Sequence, residues 1–211
     1  MILASRTQRA LLLALAALVV AIIAVLMSSS KGQSGSSTTT SASGFQGPTM
    51  PPGLRATDFT LTDQNGRRVS LSSYRGQVVM LTFIHSQCHD QCPFMVEQIK
   101  GALNDLSGKA ASVPTLGVSV APAEDTPASR KQFLRTHEME SRISFLNGPL
   151  PALRRVWHAY AIAPQRGTVS NHSAFVLLVD RRGFERVGFA ADQLTPEGLA
   201  HDLRVLERES A

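Results

Sequence analysis

Hydrophobic and polar positions divide the chain into three parts. Every residue from position 10 to 27 is apolar, which approaches the ~20 residues that a helix needs to cross the hydrocarbon layer of a membrane. Residues 28–53 are rich in serine, threonine and glycine and poor in large apolar residues, so they are predicted to form a flexible linker. From residue 54 to 211, short apolar runs alternate with helical periodicities, which predicts one folded domain.

The charges around the apolar segment predict which side of a membrane the domain faces. Arg6 and Arg9 precede the segment, and the next charged residue is Lys31. Because positive charge is retained in the cytoplasm, residues 1–9 are predicted to be cytoplasmic, and the domain is predicted to lie outside the cytoplasm as a single-pass protein of the cell membrane. A cleaved signal peptide is the alternative, but no A-x-A-like site follows Met27, which favours an uncleaved anchor.

The folded region begins with the pattern of a β-hairpin and continues into a buried strand. Short strand patterns at 58–62 and 68–71 flank Asn65-Gly66, a dipeptide that favours tight hairpin turns. The sequence QVVMLTFI at 77–84 is nearly continuous in apolar residues, which is typical of a strand covered on both faces. This run predicts the central strand of the sheet.

Strand and helix patterns alternate through the rest of the chain. Proline follows threonine at two predicted helix starts, where threonine can cap the helix and proline suits its first turn. The predicted helices begin at Pro93, Pro127, about Leu150 and Pro196, and the further strands cover 115–120, 143–146, 173–180 and 184–189. This alternation predicts a three-layer α/β sandwich.

The charge of the chain does not favour nucleic-acid binding. The formal net charge is +5, of which Arg6, Arg9 and Lys31 contribute +3, so the remainder carries only 5 − 3 = +2. No cluster of lysine and arginine with interleaved aromatic residues is present in the sequence. A surface that follows a phosphate backbone is therefore not expected.

Two cysteines lie where the central strand is predicted to meet a helix. Cys88 and Cys92 are separated by three residues, and Pro93 follows directly. The free N–H groups and the dipole of a helix N-terminus favour the thiolate, which attacks disulfides and binds soft metals. A structural disulfide is the alternative, but so short a loop gains little stability from closure. A functional thiol pair is therefore predicted.

Other polar residues near this segment are interpreted as ordinary surface groups. Asp90, Glu124 and Asp125 belong to different predicted loops, and the sequence does not bring them together. They are therefore predicted to be solvated loop carboxylates. His89, between the two cysteines, is likewise interpreted as a solvated histidine.

Three segments of the sequence resemble proteins of the Sco/SenC family. The segment TFIHSQCHDQCP at 82–93 looks like the family's strand and C-x-x-x-C-P motif. The segment SVAPAEDTP at 119–127 is similar to its strand followed by D-P-x-x-D-T-P, and SNHSAFVLLVDRRGFER at 170–186 resembles its D-H-S strand and D-x-x-G-x-F turn. The resemblance covers about residues 55–207.

This resemblance implies a thioredoxin-like fold and a copper-binding role. The two cysteines and the histidine of the D-H-S motif correspond here to Cys88, Cys92 and His172, which are expected to bind one copper ion for assembly of cytochrome c oxidase. The implied partner is the copper-binding subunit of that oxidase. A second copper chaperone and a thiol reductant are further partners that the resemblance implies. Such a protein is an assembly factor rather than an enzyme.

The alternative function is thiol:disulfide exchange that keeps the cysteines of the oxidase subunit reduced. Cys88 or Cys92 would then be the nucleophile. A metal site requires His172, whereas exchange requires only the thiols. Thioredoxin-like oxidoreductases resemble one another in having a cis-proline near this position, and the sequence Asn171-His172-Ser173 has none. This difference favours copper binding.

The chain departs from the family pattern at three positions. Ala121 replaces the aspartate of Asp-Pro, Asn171 replaces the aspartate before the histidine, and Gln87 replaces the histidine that often precedes the first cysteine. Groups around a metal site orient its ligands and set their basicity. The copper affinity or the preferred oxidation state could therefore differ from that of the family.

Overall fold

The computed structural model describes residues 44–106, 113–162 and 174–209. The predicted anchor at 10–27, most of the predicted linker and His172 lie outside these ranges. Within the ranges, no helix has both the length and the apolar character that crossing a membrane requires.

The described ranges contain seven strands and four α-helices, in the order that the sequence predicts. The elements are β1 (Thr60–Thr62), β2 (Arg68–Ser70), β3 (Val79–Ile84), α1 (Gln91–Asp105), β4 (Thr115–Ser119), α2 (Pro127–Thr136), β5 (Ile143–Leu146), α3 (Leu150–Ala159), β6 (Phe175–Val179), β7 (Glu185–Ala190) and α4 (Pro196–Arg208).

A five-stranded sheet with the order β5-β4-β3-β6-β7 forms the centre of the domain. Strands β3, β4 and β5 are parallel, while β6 is antiparallel to both β3 and β7. All six residues of β3 are buried, as expected for a central strand covered on both faces. Strands β1 and β2 form a separate antiparallel hairpin.

Alternate residues of the sheet point into two hydrophobic clusters, one on each face. Met80 and Ile84 of β3 join a cluster that includes apolar residues of α1, α2 and α4. Leu81 and Phe83 of the same strand join a second cluster, which includes residues of α3 and of the hairpin. The domain is therefore the predicted three-layer α/β sandwich with an N-terminal β-hairpin.

The domain begins earlier than the predicted boundary at residue 54. Phe45 is only 3% exposed and belongs to the cluster that contains α1 and α4. The backbone N–H groups of Gln46 and Gly47 donate to the buried carboxylate of Asp202 at 2.8 and 2.9 Å. The linker interpretation is therefore wrong for residues 44–53, because one aromatic side chain and paired backbone groups fix this polar segment to the domain.

The first helix also begins earlier than predicted. Helix α1 starts at Gln91 rather than at Pro93, and its preceding residue, Asp90, makes no side-chain cap. Proline has no backbone N–H, but the first turn of a helix does not use that group, so Pro93 is tolerated anywhere in this turn. As a result, Cys92 lies within the first turn of α1.

Candidate metal and thiol site

The cysteine loop, residues 85–90, connects the end of β3 to the start of α1. Cys88 and Cys92 are both free thiols, with exposures of 8% and 5%. Strand β3 is anchored in the middle of the sheet, and α1 buries its apolar face against α4 and the sheet. The fold therefore holds the two thiols at a rigid strand-to-helix junction, as the sequence predicts.

Backbone N–H groups point at both sulfur atoms. The N–H of Cys92 donates to the Sγ atom of Cys88 at 3.3 Å. The N–H of His85 donates to the Sγ atom of Cys92 at 3.4 Å. Such donors stabilise sulfur that carries negative charge. The loop is thus built to hold electron-rich sulfur atoms away from water.

The pKa values of the two cysteines are shifted in opposite directions. A hydrogen bond from the Cys92 thiol lowers the pKa of Cys88 to about 5, against the opposing effect of burial and with help from the backbone N–H groups of Asp90 and Cys92. Donating that hydrogen bond raises the pKa of Cys92, and burial raises it further. At neutral pH the reduced pair therefore consists of a Cys88 thiolate and a Cys92 thiol.

Asp125 fixes the start of the cysteine loop, although the sequence predicted a solvated carboxylate at this position. Its side chain is fully buried and accepts a hydrogen bond from the N–H of Ser86 at 2.7 Å. The hydroxyl of Ser119, the last residue of β4, donates to the second carboxylate oxygen. The prediction was wrong because the ends of the parallel strands β3 and β4 bring together loops that are distant in sequence.

Glu124 is exposed, as predicted, but it also contacts the cysteine loop. Its carboxylate lies 3.0 Å from the Nε2 atom of His85, whose side chain is 11% exposed. Asp90 is likewise exposed, as predicted. The adjacent pair of acids before Thr126-Pro127 is the sequence signal that could have indicated this role, since the residues before a helix cap are held close to the preceding strand.

The turn after β4 forms without the aspartate that Ala121 replaces. The carbonyl oxygen of Ala121 accepts hydrogen bonds from the N–H groups of Glu124 and Asp125, both at 3.0 Å. These backbone bonds place Asp125 in position by themselves. The substitution at Ala121 therefore leaves the contact to the cysteine loop in place.

The described residues supply two sulfur ligands for a metal. In the ranges that the structure covers, no group of three or more His, Cys, Asp and Glu side chains is arranged to hold an ion. Two thiol sulfurs suit soft ions such as Cu(I) or Zn(II). His172, the third predicted ligand, lies outside the described residues, as does Asn171 beside it.

The segment that follows His172 in sequence lies next to the cysteine site. Ala174 is buried in the same hydrophobic cluster as Cys88 and Cys92. Strand β6 then runs antiparallel to β3, and its first residue, Phe175, accepts a 3.0 Å hydrogen bond from the hydroxyl of Thr82. The start of β6 is therefore beside the end of β3, from which the cysteine loop departs.

Known proteins and solved structures resemble this chain. Residues 49–207 match the model of the SCO1/SenC family. The yeast mitochondrial protein SCO2 (Saccharomyces cerevisiae) is 28% identical over 134 residues, which cover 59% of this chain and 44% of that protein. The chain spans about half the length of the curated relatives it matches.

Two solved structures show the same fold. The structure of Bradyrhizobium japonicum ScoI with copper bound has a TM-score of 0.62 and 28% identity, and the match covers 72% of this chain and 99% of that one. BsSco, described as a member of the Sco family of cytochrome c oxidase assembly proteins with a disulfide switch, has a TM-score of 0.65 and 22% identity over 76% of this chain and 97% of its own. The thioredoxin-like fold is confirmed, and this chain belongs to the SCO1/SenC family.

Proposed function

We propose that this chain is a membrane-anchored copper-binding assembly protein that works outside the cytoplasm. It holds one copper ion through Cys88, Cys92 and His172 and transfers it to the copper-binding subunit of cytochrome c oxidase. The observation that carries this proposal is the buried pair of free thiols at the junction of β3 and α1.

The chemistry of the pair suits copper as cargo. Thiolate ligands select Cu(I) over harder ions, and a neutral imidazole completes a small site with two sulfurs and one nitrogen. The N–H groups that point at both sulfurs favour negative charge on them, which is the form that binds a metal ion. Burial of both thiols protects the metal from water and from competing ligands.

His172 is proposed as the third ligand from the positions of its described neighbours. Ala174, two positions further along the chain, belongs to the cluster that includes both cysteines. A copper-bound structure of the related ScoI supports copper as the metal. BsSco is by its description a cytochrome c oxidase assembly protein, which supports that oxidase as the enzyme that is assembled.

Copper titration of the reduced protein under anaerobic conditions tests this function. We expect one Cu(I) per chain, measured against a chromophoric chelator, and at least about tenfold weaker binding for Cys88→Ser, Cys92→Ser and His172→Ala, since even outer-shell changes cost 10–100-fold in metal affinity. His158→Ala is the matched control, because this histidine is exposed on α3, and it should bind copper as the wild type does. Wild-type affinity in His172→Ala would contradict the proposal.

The acidity of Cys88 supports a second candidate function, reduction of a disulfide in the oxidase subunit. The Cys88 thiolate attacks one sulfur of the target disulfide, and a mixed disulfide forms as the other target sulfur leaves as a thiolate. Cys92, once deprotonated, then attacks the Cys88 sulfur. This step releases the second target thiol and leaves a Cys88–Cys92 disulfide, which an external thiol reductant must reduce.

A copper-free assay separates the two functions. If reduction of a disulfide peptide is the main activity, Cys88→Ser abolishes it and His172→Ala leaves its rate unchanged. If copper transfer is the main activity, His172→Ala removes tight copper binding, and the rate of peptide reduction is slow for every variant.

A further inference from the structure

A cleft of about 1050 Å³ opens beside the cysteine loop. Phe175 and Gly188 of the neighbouring strands β6 and β7 line it, together with Tyr160 after α3. Gln91 and Phe94, in the first turn of α1, line it on the side of the cysteines. The volume is at the upper end for a small-molecule site, so the cleft is large enough for several side chains of a polypeptide segment.

Exposed apolar side chains are concentrated at this cleft. Among the described residues, three large apolar side chains are exposed, and two of them, Phe94 at 44% and Leu54 at 39%, line it. Large apolar groups with polar residues around them mark surfaces that bind another molecule. The cleft therefore has the apolar part of a binding surface.

Glu185 supplies a largely buried carboxylate that has no partner among the described residues. It lines the cleft and is only 8% exposed, yet its carboxylate has no hydrogen bond or ion pair to any described residue. Burial raises its pKa to about 7. Other buried acids each accept at least two hydrogen bonds, namely Asp63, Asp125, Asp180 and Asp202. A buried carboxylate without such bonds is unfavourable, and a bound cation would stabilise it.

The other charged residues that the structure describes in the cleft have the same sign as Glu185. Asp90 and Asp192 also line it, and the described lining residues include no lysine, arginine or histidine. We propose that the cleft binds a segment of a partner protein in which one basic side chain is flanked by apolar ones. The basic side chain pairs with Glu185, and the apolar ones contact Phe94 and Leu54.

The cleft adjoins the helical turn that contains one of the two thiols. Gln91 and Phe94 line the cleft, while Cys92 lies between them in the same helical turn. The class of ligand follows from the cleft alone and goes beyond the proposed function. The further statement that the bound partner is the recipient of copper rests on that function.

Binding of short fluorinated peptides to the full chain tests this inference. The probe is acetyl-Leu-Lys-Phe-amide with 4-fluorophenylalanine, observed by ¹⁹F relaxation at a pH above 8, and the neutral comparison contains norleucine instead of lysine. We expect Glu185→Gln to weaken binding of the lysine peptide by about tenfold or more, since hydrogen bonds between charged groups are stronger than those between neutral groups. Both peptides should bind Phe94→Ala more weakly than the wild type.

Control variants separate specific binding from general effects. Glu140→Gln removes the same charge at an exposed position outside the cleft and should bind both peptides like the wild type. Thermal unfolding of Glu185→Gln verifies that this variant is folded. If Glu185→Gln is unstable, Phe94→Ala still tests the inference, because it changes only an exposed side chain. One copper per chain in Glu185→Gln, as in the wild type, shows that the metal site is independent of the cleft.

Three results would overturn the inference. The first is equal affinity of the lysine peptide for the wild type and Glu185→Gln, and the second is equal affinity of the two peptides for the wild type. The third is self-association of the chain that Glu185→Gln abolishes, because it would assign the cleft to a second copy. Absence of copper binding with intact peptide binding would contradict the proposed function alone.

Discussion

The backbone N–H of Ser86 donates a 2.7 Å hydrogen bond to the carboxylate of Asp125, which is completely buried. This bond ties the cysteine loop after β3 to the loop after β4. Asp125 also accepts from the hydroxyl of Ser119, so both carboxylate oxygens are used. The position of Cys88 therefore depends on a side chain that is 37 positions away in sequence (125 − 88) and cannot itself contact solvent.

Replacement of Asp125 by alanine should destabilise the domain and weaken the thiol site. The N–H of Ser86 and the hydroxyl of Ser119 lose their acceptor inside the protein, and unsatisfied buried donors cost about 1–3 kcal/mol each. We expect a loss of at least about 2 kcal/mol in the free energy of unfolding, measured with urea.

Asparagine at position 125 is the matched control for this change. Its amide oxygen can accept from one of the two donors but not from both, so the loss should be smaller than in Asp125→Ala. Copper affinity should decrease in the same order. Equal stability of Asp125→Ala and the wild type would show that the contact to Ser86 does not hold the loop.

Local patterns in the sequence predict most of the fold because their physical causes are local. The threonine hydroxyls at the predicted caps accept hydrogen bonds as expected, Thr126 from the N–H of Ser129 and Thr195 from the N–H of Gly198. The apolar run that ends at Ile84 forms a strand that is buried throughout. The position of the cysteine pair follows directly from these elements.

Contacts between distant parts of the chain could not be predicted in this way. Asp125 resembles any loop aspartate until the parallel pairing of β3 and β4 places Ser86 beside it. Similarly, Phe45 is a single aromatic residue in a polar segment, and the acceptor for its neighbours is Asp202, near the other end of the chain. Both features depend on tertiary structure and leave no periodic signal.

The buried position of Phe45 predicts that residues before 54 are required for stability. Phe45→Ala should lower the free energy of unfolding by about 3 kcal/mol or more, because it leaves a cavity in the cluster of α1 and α4. Urea unfolding of the variant measures this loss. Gln46→Ala is the control, because its contact to Asp202 is made by the backbone and survives the change. A stability like that of the wild type in Phe45→Ala would restore the later domain boundary.

Glu185 predicts that stability decreases as the pH rises toward neutrality. Burial raises the pKa of this carboxyl in the folded state to about 7, above the ordinary value of 4.5. Between these values the folded state binds a proton that the unfolded state has released. The contribution of this group to the free energy of unfolding is therefore largest below pH 4.5 and is lost as the pH passes 7.

Glu185→Gln should therefore remove this part of the pH dependence. The variant is expected to be more stable than the wild type at pH 8, and the difference should shrink toward pH 5, as measured by urea unfolding at both values. Glu140→Gln, at an exposed position, should follow the wild type at both. If the difference in stability between Glu185→Gln and the wild type were the same at both pH values, burial would not raise the pKa of Glu185.

The paired thiols predict an unusual titration of the reduced, metal-free protein. Because the Cys92 thiol donates to Cys88 and lowers its pKa to about 5, the ultraviolet absorbance of one thiolate should develop around pH 5. It should then stay constant through neutral pH, where an ordinary thiol with a pKa of about 8.5 is still protonated.

Single variants assign this titration to the two cysteines. Cys88→Ser should remove the absorbance step near pH 5, since the pKa of Cys92 is raised in the pair. Cys92→Ala should keep one thiolate but move its titration to higher pH, because the strongest cause of the acidity of Cys88, the hydrogen bond from the Cys92 thiol, is lost. If Cys88 titrated near pH 5 even in Cys92→Ala, the backbone N–H groups of the loop alone would account for its acidity, and the thiol pair would not be the source.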